Sequence, residues 1–260
     1  MANIAELVTR REGTTGWIVF SNPPKLNAVT YEMIGALPET ISRFERDPQV
    51  KVIALRGDGD QVFVAGADIG QFRTIRGSSA STATYNDAMD GAYRAVSGSR
   101  KPTLACIRGA CFGVGMSLAS YCDLRVCSEE AQFGHLAPKL GLAVSYPSVR
   151  RLVHLLGPAR CADILFTGRS VTAAEALAMG LVNRVFPAAE LDERFAALVA
   201  DIAESAPMSL LSTKVSIRGA LGEAEMRDIK VAADACHASE DCVEGRKAYM
   251  EKRKPVFRNR

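Results

Sequence analysis

The segment GACFGVGMSLA at residues 109–119 decides the fold class, because it turns a buried strand into a helix within a few residues. The apolar run at 102–107 comes directly before it and predicts that strand. A second segment, FVAGADI at 63–69, follows another predicted strand at 50–55 in the same way. Repeated strands that pass through small residues into helices are typical of an α/β fold.

The segments on either side extend this pattern. Further strands are predicted at 16–20 and 123–127. Thr30 is expected to cap a helix whose apolar positions recur at helical spacing, namely Met33, Leu37, Ile41 and Phe44. The Ser-, Thr- and Gly-rich stretch at 77–84 predicts the start of a mobile loop. After about Ser145 helical periodicity dominates, at 149–156, 160–166, 173–179, 191–205 and 226–246. The sequence therefore predicts an α/β core followed by a helical tail, which needs another subunit for cover.

The two glycine-rich turns are the candidate functional sites. Backbone N–H groups at the start of a helix lack intrahelical partners, and small side chains let a ligand approach them closely. Two such turns placed together would form a pair of donors for an oxyanion or an enolate. The alternative is that the glycines serve packing alone. A phosphate loop is not indicated, because Gly113 and Gly115 lack its wider glycine and lysine pattern.

Composition excludes several classes of function. The 260 residues carry a net charge of +3 from 32 basic and 29 acidic side chains, which does not favour a nucleic-acid or membrane partner. The N-terminus has no basic region followed by an apolar core, so no secretory signal is predicted. The seven cysteines form no Cys-x-x-Cys pair and the three histidines lie far apart, so no metal site is predicted. Reduced thiols in a cytoplasmic protein are the expectation.

Several motifs resemble those of the crotonase (enoyl-CoA hydratase/isomerase) superfamily in order and spacing. They are NPPKLNA at 22–28, AGADI at 65–69, the segment 109–117, AQFG at 131–134, PKLG at 138–141, AAEALAMGLVN at 173–183 and EKRKP at 251–255. The resemblance implies a spiral core of ββα units at 1–200 and a C-terminal helical region at 201–260 that forms trimers or hexamers. It also implies an acyl-CoA substrate, with coenzyme A entering as part of the thioester and no permanently bound cofactor.

The resemblance also assigns roles to individual residues. The N–H groups of Ala67 and Val114 match the two donors of the oxyanion hole, where the family more often has glycine at the second position. The branched side chain of Val114 is expected to narrow or redirect the acyl pocket. Residues matching the substrate-binding positions are Lys25, Leu26, Ala28, Ala65, Asp68, Ile69, Gly113, Ala137, Lys254 and Phe257. Asp68 is also expected to cap the helix that follows the first turn.

Ser117 and Ala137 depart from the family pattern. They match the two glutamates that hold and activate water in hydratases, so both carboxylates are missing. Replacement groups are sought nearby in Ser117 itself, His135 and Tyr146, and the next loop also carries Lys139 and Ser145. Each of the first three has a structural alternative: a packed serine, a histidine hydrogen-bonded in a loop or subunit contact, and a half-buried aromatic ring.

These residues indicate an enzyme that stabilises a thioester enolate in an oxyanion hole, without the usual two-glutamate hydration. Lyase, isomerase and hydratase-like reactions share that intermediate. Decarboxylation is an alternative, because the departing carboxylate forms the enolate without a protein base. Thioester hydrolysis is another, although no base for its water is evident. An acyl-CoA-binding protein without catalysis is the alternative of a different class.

Overall fold

Two β-sheets form the framework of this computed structural model, which describes residues 5–71 and 78–258. The larger sheet has the strand order β1 (Glu6–Glu12), β2 (Thr15–Ser21), β3 (Val52–Gly57), β5 (Thr103–Ile107), β7 (Leu124–Ser128) and β10 (Arg184–Phe186). The smaller sheet has the order β4 (Val62–Val64), β6 (Ala110–Phe112), β8 (Gln132–Gly134) and β9 (Val171–Thr172). Neighbouring strands are parallel except β1 with β2 and β8 with β9. The four predicted strands are confirmed as β2, β3, β5 and β7.

Ten α-helices complete the described residues. They are α1 (Tyr31–Arg46), α2 (Ser79–Gly98), α3 (Val114–Tyr121), α4 (Tyr146–Leu156), α5 (Pro158–Thr167), α6 (Ala173–Met179), α7 (Leu191–Ala203), α8 (Pro207–Ala220), α9 (Met226–His237) and α10 (Glu240–Met250). Short 3-10 helices lie at Pro23–Lys25, Ile69–Gln71 and Ala137–Leu140.

The core is a repeat of one unit. A strand of the larger sheet is followed by a strand of the smaller sheet and then by a helix, in the sets β3-β4-α2, β5-β6-α3 and β7-β8-α4. Each unit adds one strand to each sheet beside the strand of the unit before it. The chain therefore winds as a spiral of ββα units, and the predicted α/β class is confirmed.

Helix α1 forms where the sequence predicts it. Thr30 accepts a hydrogen bond from the N–H of Met33 at 3.3 Å, which satisfies one donor of the first turn. The four predicted apolar positions are buried against the core. The predicted helix and its cap are therefore confirmed.

Both faces of the larger sheet are covered, which explains why its central strands are apolar throughout. Along β2, Ile18 and Phe20 join the main core with α1, whereas Trp17 and Val19 face α7. The ring of Trp17 lies 5.3 Å from that of Phe195 on α7. Helix α7 thus belongs to the core packing as far as Ala203, three residues beyond the predicted boundary at 200, and the division into two regions stays a prediction.

Two predictions of local structure were wrong. In the stretch expected to be a loop, Gly77 lies outside the described residues, but α2 begins at Ser79. The cause is a capping box in which the side chains of Ser78 and Ser81 each accept the other's backbone N–H. The single helix predicted at 226–246 is divided, because Ser239 caps a new helix by accepting from the N–H of Cys242. Helix α8 was not predicted at all.

No single described helix is long and apolar enough to span a membrane. Helices α7 and α8 meet the criteria of length and apolar composition only when they are counted as one segment, and they are bent by 101° at the break between them. The seven cysteines are free thiols, five of them buried. Within 5–71 and 78–258, no three or more His, Cys, Asp or Glu side chains are grouped so that they could hold a metal ion.

Candidate active site

The structure brings the two glycine-rich turns together. Strands β4 and β6 are parallel neighbours, so the chain leaves both at the same edge of the smaller sheet. A Cβ atom built on Gly113 would lie 3.7 Å from the Cα atom of Gly66. Gly66 and Gly113 have φ angles of 138° and 53°, which side chains other than glycine rarely adopt. The turns therefore meet backbone to backbone.

The N–H group of Ala67 is left without a partner by the way its strand pairs. Ala67 forms an isolated parallel bridge with Val29. The two hydrogen bonds of that bridge use the carbonyl of Gly66 and the N–H of Asp68. In a parallel pair, the residue between two such bonded groups directs its own N–H away from the partner strand. Here that residue is Ala67. Among the described residues the N–H of Ala67 donates no hydrogen bond.

The N–H group of Val114 is free for a different reason. Val114 is the first residue of α3, where no carbonyl four residues earlier is in position to accept. Gly113, just before it, donates to the carbonyl of Gly134 at 2.9 Å and so anchors the turn to β8. Within the described part of the chain the N–H of Val114 has no acceptor, and it lies at the positive end of the helix dipole.

Gly115 allows α3 to pack against β4. A Cβ atom at this position would lie 2.5 Å from the carbonyl oxygen of Val64 and 2.8 Å from its Cβ atom, closer than real side chains approach. Glycine is therefore required here by contact, and this contact sets the separation between Val114 and the first turn.

An ion pair fixes the outer side of the first turn. Lys25 donates to both carboxylate oxygens of Asp68, at 2.9 and 2.7 Å, and Asp68 also accepts from the N–H of Gly70. Asp68 is only 7% exposed and its oxygens are occupied, so it holds the turn in place. The expected cap is present in this local form, on the 3-10 helix Ile69–Gln71.

The remaining predicted substrate-binding residues of this region line the same turn. Ala65 donates its N–H to the carbonyl of Leu26, and Ala28 is buried beneath the segment. The side chains of Leu26 and Ile69 are 57% and 58% exposed. Leu26 also has a φ of 53°, a costly conformation for a branched apolar residue, and such strain is concentrated at ligand sites. Apolar side chains at the rim, with hydrogen-bonded polar groups beneath them, suit a long amphipathic ligand.

Ser117 and Ala137 are both buried beside the second turn. Ser117 lies one helical turn after Val114, so the two share a face of α3. Ala137 is the first residue of the 3-10 helix that follows β8. The carbonyl of Gly134, at the end of β8, accepts from the N–H of Gly113. Neither side chain can act as a carboxylate.

Sequence reasoning missed a pair of hydrogen-bonded hydroxyl groups, those of Tyr93 and Ser148. Tyr93 of α2 is buried, and its hydroxyl accepts from Ser148 of α4 at 3.3 Å. Ser148 in turn lies 3.0 Å from the hydroxyl of Ser145. Burial raises the pKa of Tyr93, so the phenol stays protonated. The spacing of Ser145 and Ser148 was a visible signal, but no local pattern relates Tyr93 to Ser148.

His135 and Tyr146 occupy different environments. The Nδ1 atom of half-buried His135 faces the N–H of Ala137 at 3.4 Å, and burial lowers the pKa of the imidazole from its ordinary value of 6.5. It is therefore neutral at neutral pH. Tyr146 is 76% exposed at the start of α4, rather than half-buried as its structural alternative had it. Cys111, beneath the second turn, is buried, which raises its pKa well above the usual range and leaves it unreactive.

The two C-terminal residues lie apart from the turns in this chain. The Nζ atom of Lys254 lies 3.5 Å from the Oε1 atom of Glu204, just after α7. The ring of Phe257 lies near Gly245 of α10. The assigned role of these two residues at the nucleotide end of the ligand stays a prediction.

Comparisons with known proteins identify the family. The family model described as enoyl-CoA hydratase/isomerase matches residues 10–260. A crystal structure of an enoyl-CoA hydratase/isomerase family protein from Hyphomonas neptunium superposes with a TM-score of 0.92 at 34% identity, covering 98% of both chains. The crotonyl-CoA hydratase of Syntrophomonas wolfei subsp. wolfei is 27% identical over 96% of this chain and 97% of its own. The carnitinyl-CoA dehydratase of Salmonella typhi is 32% identical over 91% and 92%.

Proposed function

The chain belongs to the enoyl-CoA hydratase/isomerase family, and we propose that it polarises an acyl-CoA thioester between the N–H groups of Ala67 and Val114. The observation that carries this proposal is the pair of unpartnered N–H groups on two touching turns. Donors fixed before the ligand arrives stabilise negative charge on oxygen without the cost of reorganising. A thioester enolate carries that charge on its oxygen.

Coenzyme A enters this site as part of the substrate. We place its chain along the exposed rim of Leu26 and Ile69, with Lys25 held beside it by Asp68. Lys254 and Phe257 would reach the nucleotide end from a neighbouring subunit, because in their own chain they lie against the C-terminal helices.

Hydration by two glutamates is not the reaction we propose. The positions that match those glutamates are a serine and an alanine, and loss of a positioned acid or base costs about two to four powers of ten in rate. The Syntrophomonas relative is named a crotonyl-CoA hydratase, so hydration is the activity against which this chain must be measured.

Decarboxylation is the second candidate reaction. Besides Ser117 itself, the structure offers a hydrogen-bonded cluster of hydroxyls from Tyr93, Ser148 and Ser145. Loss of carbon dioxide from a 2-carboxyacyl thioester forms the enolate without a base, after which a proton donor is sufficient. Hydroxyl groups can donate that proton, but they are poor bases at neutral pH.

Assembly into trimers or hexamers is part of the proposal. Helix α9 buries none of its residues, and Met226 and Val231 on it are 76% and 61% exposed. Apolar groups exposed in this way mark a surface for another subunit. Light scattering should therefore give three or six times the 27.9 kDa mass of one chain.

A panel of thioesters tests the proposed reaction. The purified protein is assayed with crotonyl-CoA for hydration, malonyl-CoA and methylmalonyl-CoA for decarboxylation, and butyryl-CoA for hydrolysis, and its binding to each is measured by calorimetry. The Syntrophomonas hydratase, assayed alongside, supplies the reference rate for hydration. We expect binding to all four thioesters and hydration at least about 100-fold below the reference.

Each other outcome has a definite meaning. Hydration at the reference rate would refute the account of Ser117 and Ala137. Binding without any product would support an acyl-CoA-binding protein. Absence of binding would overturn the proposed site as a whole.

A further inference from the structure

The side chain of Asn27 joins two segments that are far apart in the sequence. Its Nδ2 atom donates to the carbonyl of Asp58 and to that of Val62, both at 2.9 Å. Its Oδ1 atom accepts from the N–H of Asn22 at 3.2 Å. Asn27 is 2% exposed, so these bonds form away from solvent. A buried amide whose donor and acceptor are both in use holds its neighbours in one arrangement.

One of the two segments, the loop at 22–29, aligns the first turn. Val29 donates to the carbonyl of Gly66 and accepts from the N–H of Asp68, both at 2.9 Å. Ala67 lies between these two bonds and forms its bridge with the same residue, Val29. The position of the loop therefore sets the direction of the N–H group of Ala67.

The other segment leads to the second turn. Val62 begins β4, which pairs with β6, and β6 runs into the turn before Val114. Helix α3, which begins at Val114, also packs directly against β4 through Gly115. The first turn leaves β4 as well, but its bridge partner is the loop. The loop thus aligns Ala67 and β4 aligns Val114, and the amide of Asn27 connects these two supports.

The backbone around Asn27 shows what its amide holds in place. Leu26 and Asn27 have φ angles of 53° and 56°, which lie in the left-handed region. Asparagine adopts this region more readily than other residues except glycine, whereas leucine adopts it at a cost. Gly57 leaves room for the amide, because a Cβ atom built there would collide with the carbonyl of Val62 and lie 2.8 Å from Nδ2 of Asn27. The loop therefore keeps a strained conformation that its hydrogen bonds to the segment before β4 maintain.

We propose that Asn27 is a positioning residue, which sets the separation of the two N–H donors by fixing the loop 22–29 to β4. One thioester oxygen accepts from both donors only when each lies at hydrogen-bond distance, and a displacement of about 1 Å can cost a factor of about 100 in rate. Asn27 acts through Ala67 and does not itself contact the substrate. The proposal rests on the proposed function, because it requires a thioester at Ala67 and Val114.

The carbonyl stretch of a bound thioester reports how strongly each bound molecule is polarised, whatever the physiological reaction. Butyryl-CoA with carbon-13 at the carbonyl and the unlabelled compound are each bound to saturation, and the difference infrared spectrum isolates the carbonyl band. Hydrogen bonds to the oxygen weaken the C=O bond, so the band should move to lower frequency when butyryl-CoA binds to the wild-type protein.

Two variants separate the amide from the backbone conformation. Asn27→Gly retains access to the left-handed region and removes the side chain. Asn27→Asp keeps the shape and the acceptor for Asn22, but it turns a carboxylate oxygen towards the carbonyls of Asp58 and Val62. Asn27→Gly serves as the test if Asn27→Asp does not fold.

In both variants the bound carbonyl band should lie closer to its position in free butyryl-CoA than it does in the wild type. The kcat of the reaction that the thioester panel identifies should fall about 10- to 100-fold, while KM changes much less. A residue that only stabilised the fold would change neither the band nor the kcat of the folded protein.

Asn183→Asp is the matched control. The Oδ1 atom of Asn183 accepts from the N–H of Arg125 at 2.8 Å, next to β10 and outside the loop 22–29. This substitution makes the same change from amide to carboxylate and keeps an acceptor oxygen. The carbonyl band and kcat should therefore equal those of the wild type.

The remaining outcomes distinguish the positioning role from the proposed function. A wild-type band and a wild-type kcat in folded Asn27→Gly would overturn the positioning role, even if the variant unfolds more easily. A change in KM alone, with the band at its wild-type position, would also overturn it and would assign Asn27 to the rim at Leu26. If the wild-type protein does not bind butyryl-CoA, or binds it without movement of the band, the proposed function itself fails.

Discussion

The N–H donors and the hydroxyl cluster of Tyr93, Ser148 and Ser145 are built in different ways. Ala67 and Val114 offer backbone atoms, which a strand bridge and a helix start hold in place. The hydroxyl cluster consists of side chains from two helices, α2 and α4. A change of side chain at 67 or 114 to any residue except proline therefore leaves the donors present, whereas a single substitution removes a hydroxyl from the cluster. The comparison teaches that the two donors depend on backbone geometry, while the hydroxyl cluster depends on the side chains that this sequence supplies.

Loss of a backbone donor should have the largest effect. Ala67→Pro removes the N–H, but it spares both hydrogen bonds of the bridge to Val29, since these use Gly66 and Asp68. The rate of the reaction that the thioester panel identifies should fall about 100- to 1,000-fold, as for other oxyanion donors. Ala67→Ser, which keeps the N–H, is the control and should retain most of the rate. Equal rates in Ala67→Pro and Ala67→Ser would show that this N–H takes no part.

Substitutions of two glycines in helices separate the effect of a steric contact on stability from the effect of helix propensity. Gly115→Ala would push a methyl group into Val64 and should lower the free energy of unfolding by about 1–3 kcal/mol. Gly35→Ala, on α1 with nothing within 4 Å of its new methyl group, should raise it by about 0.5–1 kcal/mol. Urea unfolding of both variants measures the two changes. A Gly115→Ala protein as stable as the wild type would mean that α3 does not rely on this contact.

His135 provides a smaller test, because it is the titratable alternative to the hydroxyl groups as a source of the proton. Its pKa in the folded protein lies below the ordinary 6.5, so as the pH falls the unfolded chain binds a proton first. Stability should therefore fall below about pH 6.5, by no more than about 1.4 kcal/mol per pH unit, and level off below the folded pKa.

The variant His135→Gln should flatten that decline, and the exposed His154→Gln should not. Both should turn over the thioester that the panel identifies at the wild-type rate. A rate that follows the titration of an imidazole, and is lost in His135→Gln, would assign the proton to histidine and break the contrast between the two parts of the site.

The same contrast explains how much the sequence could predict. The turns at 63–69 and 109–119 are local patterns, and the burial of α1 follows from its spacing, so these features were predictable. The hydroxyl of Tyr93 meets that of Ser148 through tertiary packing alone, because the two residues are 55 positions apart and share no motif. The start of α2 was predicted as a loop, because a Ser-rich stretch encodes a capping box as readily as a loop. Side-chain clusters that depend on tertiary packing are the part that local patterns do not encode.

Polarisation of the thioester by the two N–H groups is the central claim, and the carbonyl carbon reports on it directly. Butyryl-CoA labelled with carbon-13 at the carbonyl is bound to saturation, and its resonance is compared in free, wild-type-bound and Ala67→Pro-bound forms. We expect a downfield shift on binding to the wild type and a return most of the way to the free position in Ala67→Pro. A saturated wild-type complex whose carbonyl resonance does not move would contradict the account.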